Sequence, residues 1–139
     1  MRDLIYKFRQ KLKKKEASIS KTAHVTQCEI GGKVSIGDRC LIHGALISGQ
    51  VRIGSNTSIW GPRIQILSMV NPISIGKFCS IAHGVTLQEY NHDPSKITTY
   101  FIRKNVFGEN MGQDVTSKGG IDIGNDVWIG TGVQVMSGV

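Results

Sequence analysis

The sequence of 139 residues is poor in aromatic side chains, prolines and cysteines, and it lacks long hydrophobic runs. Aromatic residues make up 6% of the chain, so its core must be built mainly from aliphatic side chains. No apolar run approaches the roughly 18 residues of a membrane span, since the stretch at 64–70 is interrupted by Gln65 and Ser68. The first residues lack the apolar centre of a secretory signal peptide. These absences predict one soluble globular domain.

The three cysteines, Cys28, Cys40 and Cys79, are an odd number and include no CxxC pair. A disulfide framework and a cysteine-based zinc site are therefore both disfavoured. We expect all three to be small core residues.

Positive charge is concentrated at the start of the chain. The net charge is +7, but residues 1–16 carry seven basic and two acidic residues, which leaves a net +2 for the other 123. A basic folded body, the usual mark of nucleic-acid binding, is therefore not predicted. Residues 1–17 read as a basic amphipathic helix, because Leu4, Phe8 and Leu12 share one face. That helix could cover the open end of the next domain or contact an anionic membrane surface.

From Cys28 onward, aliphatic residues recur in steps of six. The residue two before each of them is nearly always small or β-branched, and the residue after is often Gly, Ala or Ser. The aliphatic positions are Ile30, Ile36, Ile42, Ile47, Ile53, Ile59, Met69, Ile75, Ile81, Leu87, Ile123, Ile129 and Val135. Each unit predicts a three-residue strand pointing in, out and in, followed by a tight corner. Three such strands close a triangular coil, and successive coils stack as a solenoid. An antiparallel sandwich would place its turns at irregular spacings instead.

The units VSIGDR at 34–39, VRIGSN at 51–56, ISIGKF at 73–78 and IDIGND at 121–126 resemble the hexapeptide repeat of the left-handed parallel β-helix acyltransferases. The resemblance covers residues 18–139 and implies an all-β solenoid of that handedness. It also implies a cytoplasmic homotrimer with acetyl-CoA as acyl donor and its sites between neighbouring subunits. Related γ-class carbonic anhydrases bind zinc through three histidines, two of them close in sequence. No two histidines here lie within five residues, so no metal is expected.

The repeat is interrupted between Leu87 and Ile123, which defines an inserted loop at 88–120. Its start, NHD at 91–93 followed by TTYF at 98–101, is similar to the loop of xenobiotic and sugar acetyltransferases. This similarity makes His92 the catalytic general base and Asn91, Asp93 and Tyr100 substrate-binding candidates. An ordinary histidine pKa suits a base at neutral pH. Asp93 or Glu89 could orient the ring or bind the acceptor.

The motif VWIG at 127–130 carries a second part of the resemblance. It implies that Trp128, Gly130 and Thr131 contact acetyl-CoA. Trp128 is expected at an outward position, where a large aromatic side chain needs a cover. Leu41, Leu46 and Trp60 are also expected to face outward, which predicts a surface buried against another subunit.

The predicted function is acetyl-CoA-dependent O-acetylation of a sugar or cell-surface polysaccharide, without an acyl-enzyme. Two alternatives stay open. The first is acetylation of an antibiotic of the streptogramin or chloramphenicol type, although this chain has YFIR at 100–103 where that subgroup's loop is expected to have its proline. The second is a non-catalytic scaffold or truncated fragment, because the chain stops inside a coil at Val139 and family members usually continue with further coils and a cap. The localisation expected is cytoplasmic, with the basic helix at the inner face of the membrane as the open alternative.

Overall fold

The computed structural model describes residues 16–139, so the predicted basic helix at 1–17 and its membrane contact lie outside the described residues, apart from Glu16 and Ala17. Within 16–139, short parallel strands follow one another around a triangular coil. The first coil contains β1 (Ser18–Ile19), β2 (His24–Thr26) and β3 (Glu29–Gly31), and the second β4 (Val34–Ile36) and β5 (Leu41–Ser48). The third contains β6 (Val51–Ile53) and β7 (Ser58–Leu67), and the fourth β8 (Ile73–Ile75), β9 (Ser80–Ile81) and β10 (Thr86–Gln88).

The chain then leaves the coil and returns to it. This excursion contains β11 (Asn91–His92), the one-turn helix α1 (Ile102–Asn105), a 3-10 turn (Met111–Gln113) and β12 (Val115–Thr116). The fifth coil follows with β13 (Ile121–Ile123), β14 (Trp128–Ile129) and β15 (Gln134–Met136). The described chain has no helix long and apolar enough to cross a bilayer.

Three faces result, each made of parallel strands from successive coils. The first face is the five-stranded sheet of β1, β4, β6, β8 and β13. The second and third faces belong to one sheet, because β5 and β7 continue around the corner between them. On the second face one row of outward positions, each paired with the next, consists of His24, Leu41, Ser58, Ser80 and Trp128. The corresponding row on the third face consists of Glu29, Leu46, Gln65, Thr86 and Gln134. The predicted parallel β-helix with one long insertion is confirmed.

Inward residues form aliphatic ladders along the axis. In the first face, Ile36, Ile53 and Ile75 lie on one another and are at most 3% exposed, while the residue between each pair of inward positions points out. This alternation follows from the two-residue period of a strand. Cys40 and Cys79 are buried in the core and Cys28 packs against it, as predicted. Burial of these apolar side chains is the main stabilising term of the solenoid.

One position of the predicted repeat is wrong. Met69 is 36% exposed, and Ile66 takes the inward position, paired with Ile47 on one side and Leu87 on the other. The physical reason is the corner at 68–72, which holds extra residues between the third and first faces. This widened corner presses close to the coil below, where Gly49 (φ +98°) leaves no room for a side chain against the Ser68 carbonyl. A step of six counted back from Ile75 therefore ends inside this longer corner, at Met69. The strands on either side keep their register, so Ile66 remains stacked between Ile47 and Leu87.

Candidate functional site

His92 lies four residues after the solenoid strand β10 and close to the base of the loop. Its strand β11 pairs antiparallel with β12, so that Asn91 lies opposite Thr116 and His92 opposite Val115. Val115 is 8% exposed, so this short pair has one buried side. The backbone of His92 is thereby fixed by the returning strand of the same loop.

The imidazole of His92 is oriented by two neighbours from the loop. Its Nδ1 lies 2.5 Å from the carbonyl oxygen of Thr99, and its ring stacks on Phe101 with centroids 4.4 Å apart and planes within 2°. Because a carbonyl oxygen only accepts hydrogen bonds, Nδ1 donates and carries the proton. Nε2 then holds the lone pair, on a side chain that is exposed. In this tautomer Nε2 is the ring nitrogen that is left to accept a proton from a substrate.

Neither acidic residue suggested by the sequence orients this ring. The Asp93 carboxylate accepts hydrogen bonds from the Ser95 amide (3.0 Å) and hydroxyl (2.6 Å), and it pairs with Lys96 at 3.7 Å. The hydrogen bonds from Ser95 hold the Asp93 pKa below its usual value. Asp93 therefore stabilises the turn that follows it. The prediction that Asp93 or Glu89 could orient the ring of His92 is wrong, because the Thr99 carbonyl oxygen orients it.

Glu89 is fully buried where the loop leaves the solenoid. Its Oε2 accepts hydrogen bonds from the backbone amides of Met69 (3.0 Å) and Val70 (2.8 Å). Its Oε1 accepts from the Asn71 side-chain amide (3.0 Å) and from the Ser117 hydroxyl. Burial by itself raises the pKa of this carboxyl, but the hydrogen bonds from Ser117, Met69 and Val70 together lower it below its ordinary value.

Asp114 is a second buried acid of the loop, at 6% exposure. Its carboxylate accepts hydrogen bonds from the backbone amides of Arg103 (3.4 Å) and Lys104 (3.2 Å), at the start of α1. These amides have no partner within the helix, so the acid caps them from across the loop. Phe101 directly precedes α1, and Asp114 thereby helps to place the ring on which His92 stacks.

The other residues predicted to bind the acceptor substrate, Asn91 and Tyr100, lie in the same loop. The Asn91 side-chain amide donates to the Ser137 hydroxyl at 3.3 Å, which links the loop to the fifth coil. Tyr100 is 56% exposed, and its backbone amide donates to the Thr98 hydroxyl at 3.1 Å. Their roles in binding an acceptor stay predictions.

A cavity of about 380 Å³ lies inside the loop next to these residues. Its apolar lining includes Ile97, Ile102 and Phe107, and its charged lining includes Lys96 and Glu109. Thr98 and Ile102, the immediate neighbours of Thr99 and Phe101 in the chain, also line it. The cavity thus has both apolar and polar lining and adjoins Thr99 and Phe101 in the chain, whereas His92 itself is not part of its lining.

Trp128 lies elsewhere on the molecule. It points outward from the second face and is 81% exposed, while the following Ile129 is buried and Thr131 is exposed at the next corner. Leu41 and Trp60, at 47% and 59% exposure, belong to the same face or its edge. The loop leaves from the corner between the third and first faces, which is opposite the second face. A single chain therefore does not bring His92 and Trp128 together.

The remaining histidines have local partners or lie on the surface. His43 Nδ1 is 2.8 Å from the Thr26 hydroxyl, and its ring stacks on Trp60 at 5.1 Å. His24 and His83 are exposed. Across residues 16–139, no group of three or more histidine, cysteine or acidic side chains could hold a metal ion.

The sequence analysis named His92 but missed the contacts of Thr99 and Phe101 with its ring, and it missed two polar residues elsewhere in the loop, Asp114 at the start of α1 and Ser117 beside Glu89. Thr99 and Phe101 stand in the motif that carries the resemblance, so their presence was visible although their contacts were not. Asp114 and Ser117 have no periodic or motif signal. Their partners lie 10 to 28 positions away in the chain.

No protein-family model matches the chain. Over 73 residues it is 45% identical to a probable macrolide acetyltransferase of Lysinibacillus sphaericus, a match that covers 47% of this chain and 39% of that protein. The chain thus spans about two fifths of the length of the curated relative that it matches.

Two solved structures are similar in fold. The first is AntD, an N-acyltransferase from Bacillus cereus solved as a point mutant with dTDP and coenzyme A; the TM-score is 0.50 at 19% identity, covering 99% of this chain and 76% of that one. The second is the polysialic acid O-acetyltransferase OatWY, with a TM-score of 0.45 and 23% identity over 88% of this chain and 67% of that one. The sequence match and the AntD fold confirm the predicted resemblance to hexapeptide-repeat acyltransferases.

Proposed function

We propose that this chain transfers an acetyl group from acetyl-CoA to a hydroxyl of a sugar or cell-surface polysaccharide, with His92 as general base. The observation that carries the proposal is the orientation of His92. Its Nδ1 donates to the Thr99 carbonyl and its ring stacks on Phe101, which leaves Nε2 of this exposed side chain to accept a proton. The sequence relative, a probable acetyltransferase, supports the reaction class.

The reaction needs one proton acceptor and no covalent enzyme intermediate. As the acceptor oxygen bonds to the thioester carbonyl carbon, its proton passes to His92 Nε2. The tetrahedral intermediate then collapses with cleavage of the carbon–sulfur bond. The imidazolium returns the proton to the leaving thiolate, so that the ester and free CoA are the products. Thr99 stabilises the imidazolium through the Nδ1 hydrogen bond, which persists in both protonation states.

The donor site is proposed at the second face, with Trp128, Gly130 and Thr131 along the acetyl-CoA groove. A protein of the same fold was solved with coenzyme A, which supports a CoA thioester as donor. Because Trp128 and the loop base occupy opposite sides of one chain, the complete site requires a second copy. A homotrimer satisfies this requirement and also covers the exposed Leu41 and Trp60.

The acceptor side is proposed at the loop, with Asn91, Asp93 and Tyr100 around His92. The neighbouring cavity of about 380 Å³ offers the apolar Ile97 and Phe107 together with polar groups. A second acceptor class, an antibiotic, is favoured by the match to a probable macrolide acetyltransferase. Both acceptors present a hydroxyl to the same base, and only the shape and polarity of the acceptor differ.

The test is release of free CoA thiol from acetyl-CoA with glycosyl, macrolide, streptogramin and chloramphenicol acceptors. For an accepted substrate, His92→Ala is expected to lower kcat about 10²- to 10⁴-fold, the usual contribution of a general base. Arg52→Ala is the control, because Arg52 is an exposed position of β6 on the first face, apart from both the loop and the proposed donor groove, and the change is expected to leave the rate unchanged.

Equal rates for wild type and His92→Ala would refute the base assignment. Absence of release with every acceptor, also from a chain extended to the length of the curated relative, would favour the non-catalytic scaffold. A monomer by sedimentation at all concentrations would contradict the shared site.

A further inference from the structure

Glu89 connects three segments of the chain that are distant in sequence. Its first oxygen, Oε2, binds the backbone amides of Met69 and Val70 at the widened corner. Its second oxygen, Oε1, binds the Asn71 amide and the Ser117 hydroxyl, and Ser117 directly follows β12, the returning strand of the loop. The corner, the outgoing strand and the returning strand are therefore held by one carboxylate with no exposed surface.

The contacts of Glu89 lie next to the strand pairs that fix the backbone of His92, on the side nearer the solenoid. Ser117 follows Thr116, which is paired with Asn91, and the next pair is His92 with Val115. Further out, the Asp93 amide lies 3.4 Å from the Asp114 carbonyl. The two strands of the loop are thus joined through their backbones at 91–93, and the side-chain contact between Glu89 and Ser117 lies at the end nearest the solenoid.

The Glu89 site differs in kind from the contacts that orient the imidazole ring. Thr99 and Phe101 belong to the loop itself, so they would keep the ring oriented even if the loop moved as a body. Glu89 instead joins the loop to the corner at 68–72 of the solenoid. Together with the contact between Asn91 and Ser137, it joins the loop that carries His92 to the rigid coils.

We propose that Glu89 is a positioning residue for His92. By joining both ends of the loop to the widened corner, Glu89 holds the catalytic base at a fixed place relative to the solenoid. This inference rests on the proposed function in that His92 is the base. A buried carboxylate that receives four hydrogen bonds is well suited to the task, because each lost bond leaves a buried polar group unsatisfied. Small misplacements of a catalytic group are costly in rate.

The substitution Glu89→Gln divides the network. Its carbonyl oxygen can still accept from Met69 and Val70, but its amide then faces the Asn71 amide, so that a donor meets a donor. We expect kcat to fall about 10- to 10²-fold, as for a base misplaced by about 1 Å. The KM for acetyl-CoA should stay unchanged, because the proposed donor groove lies on the second face.

The double variant Glu89→Gln with Asn71→Asp exchanges the two groups. The amide at position 89 then donates to a carboxylate at position 71, and the negative charge stays within the same cluster. Ser117 can donate to that carboxylate in turn, since its hydroxyl lies 3.0 Å from the Asn71 amide. We expect the double variant to recover most of the lost kcat, which a general loss of stability would not predict.

The control is Thr57→Val. Thr57 is as buried as Glu89, and its hydroxyl donates to the Gly76 carbonyl at 2.8 Å and accepts from the Cys79 amide at 3.2 Å, at a corner away from the loop. This variant should lower the melting temperature and leave kcat unchanged at a temperature where it is fully folded by circular dichroism.

A second measurement does not depend on activity. Amide hydrogen exchange of β11 and β12 should become about tenfold faster in Glu89→Gln, while exchange in β6 and β8 stays unchanged. An unchanged kcat together with unchanged exchange would overturn the positioning role, as would failure of the double variant to recover either one. A wild type inactive toward every acceptor would refute the proposed function, and the exchange experiment would still decide whether Glu89 anchors the loop.

Discussion

The solenoid and the inserted loop bury opposite kinds of side chain. In the solenoid the inward positions are aliphatic residues stacked on their own kind, such as Ile53 between Ile36 and Ile75. At the loop and its anchoring corners the buried side chains are largely polar: Ser68, Glu89, Asp114 and Ser137. The loop's large apolar residues are exposed instead, with Ile97, Tyr100, Val106 and Phe107 at 56% to 100% exposure.

The difference shows two ways of fixing a backbone. Stacked aliphatic side chains need only the correct period and size, because apolar burial has no direction. The loop has no repeat to stack on, so its shape depends on individual hydrogen bonds, each with a defined donor and acceptor. Its large apolar side chains are therefore left exposed rather than packed in a core.

The largest effect on stability is expected in the solenoid. Ile66→Ala removes a fully buried side chain between Ile47 and Leu87, and it should lower the free energy of unfolding by about 2–5 kcal/mol. Met69→Ala is the matched control, since the six-residue repeat places Met69 inward although it is partly exposed. That change should cost within about 0.5 kcal/mol. Urea unfolding measures both, and a larger loss for Met69→Ala would contradict the register of the third coil.

A smaller effect on stability, joined to an effect on rate, is expected in the loop. Asp114→Ala removes the cap of α1 and should lower the free energy of unfolding by about 0.5–2 kcal/mol. It should also lower kcat, because Phe101 precedes that helix and stacks on His92. Asp122→Ala, at an exposed position of β13, is the control and should change neither quantity. Loss of stability with a normal kcat would separate α1 from the placement of His92.

The smallest effect is a dependence of stability on pH that comes from the buried carboxyl group of Glu89. The folded-state pKa of Glu89 lies below its ordinary value of 4.5, so the unfolded chain binds the proton more readily. The stabilisation is therefore complete above that ordinary value and is lost as the pH falls through the lowered folded-state pKa. Urea unfolding between about pH 6 and about pH 3 should show a steeper loss in wild type than in Glu89→Gln.

Glu29→Gln, at an exposed position of β3, is the control for this titration and should keep the steep wild-type profile. A profile for Glu89→Gln that parallels the wild type would show that other groups cause the acid sensitivity.

Most of the fold could be predicted from the sequence, and the candidate site only in part. The ladders of Ile36, Ile53 and Ile75 follow from the six-residue period, because a residue's place in a stacked coil depends on its local spacing. The same rule placed Met69 inward and was wrong, since it cannot detect a corner of different length. His92 was found from a motif, whereas its contact with Thr99 could not be derived from one.

The sequence by itself determined the coil, the position of its interruption and the histidine that stands at the start of the insertion, since all three are encoded in neighbouring residues. Only the tertiary structure decided that a backbone carbonyl orients that histidine and that Glu89 binds a corner some 20 residues earlier. It also decided that Trp128 lies on the side of the solenoid opposite to the start of the loop. The physical reason is that hydrogen bonds inside the loop join residues with no periodic relation. Their geometry exists only once the solenoid has fixed where the two ends of the loop lie.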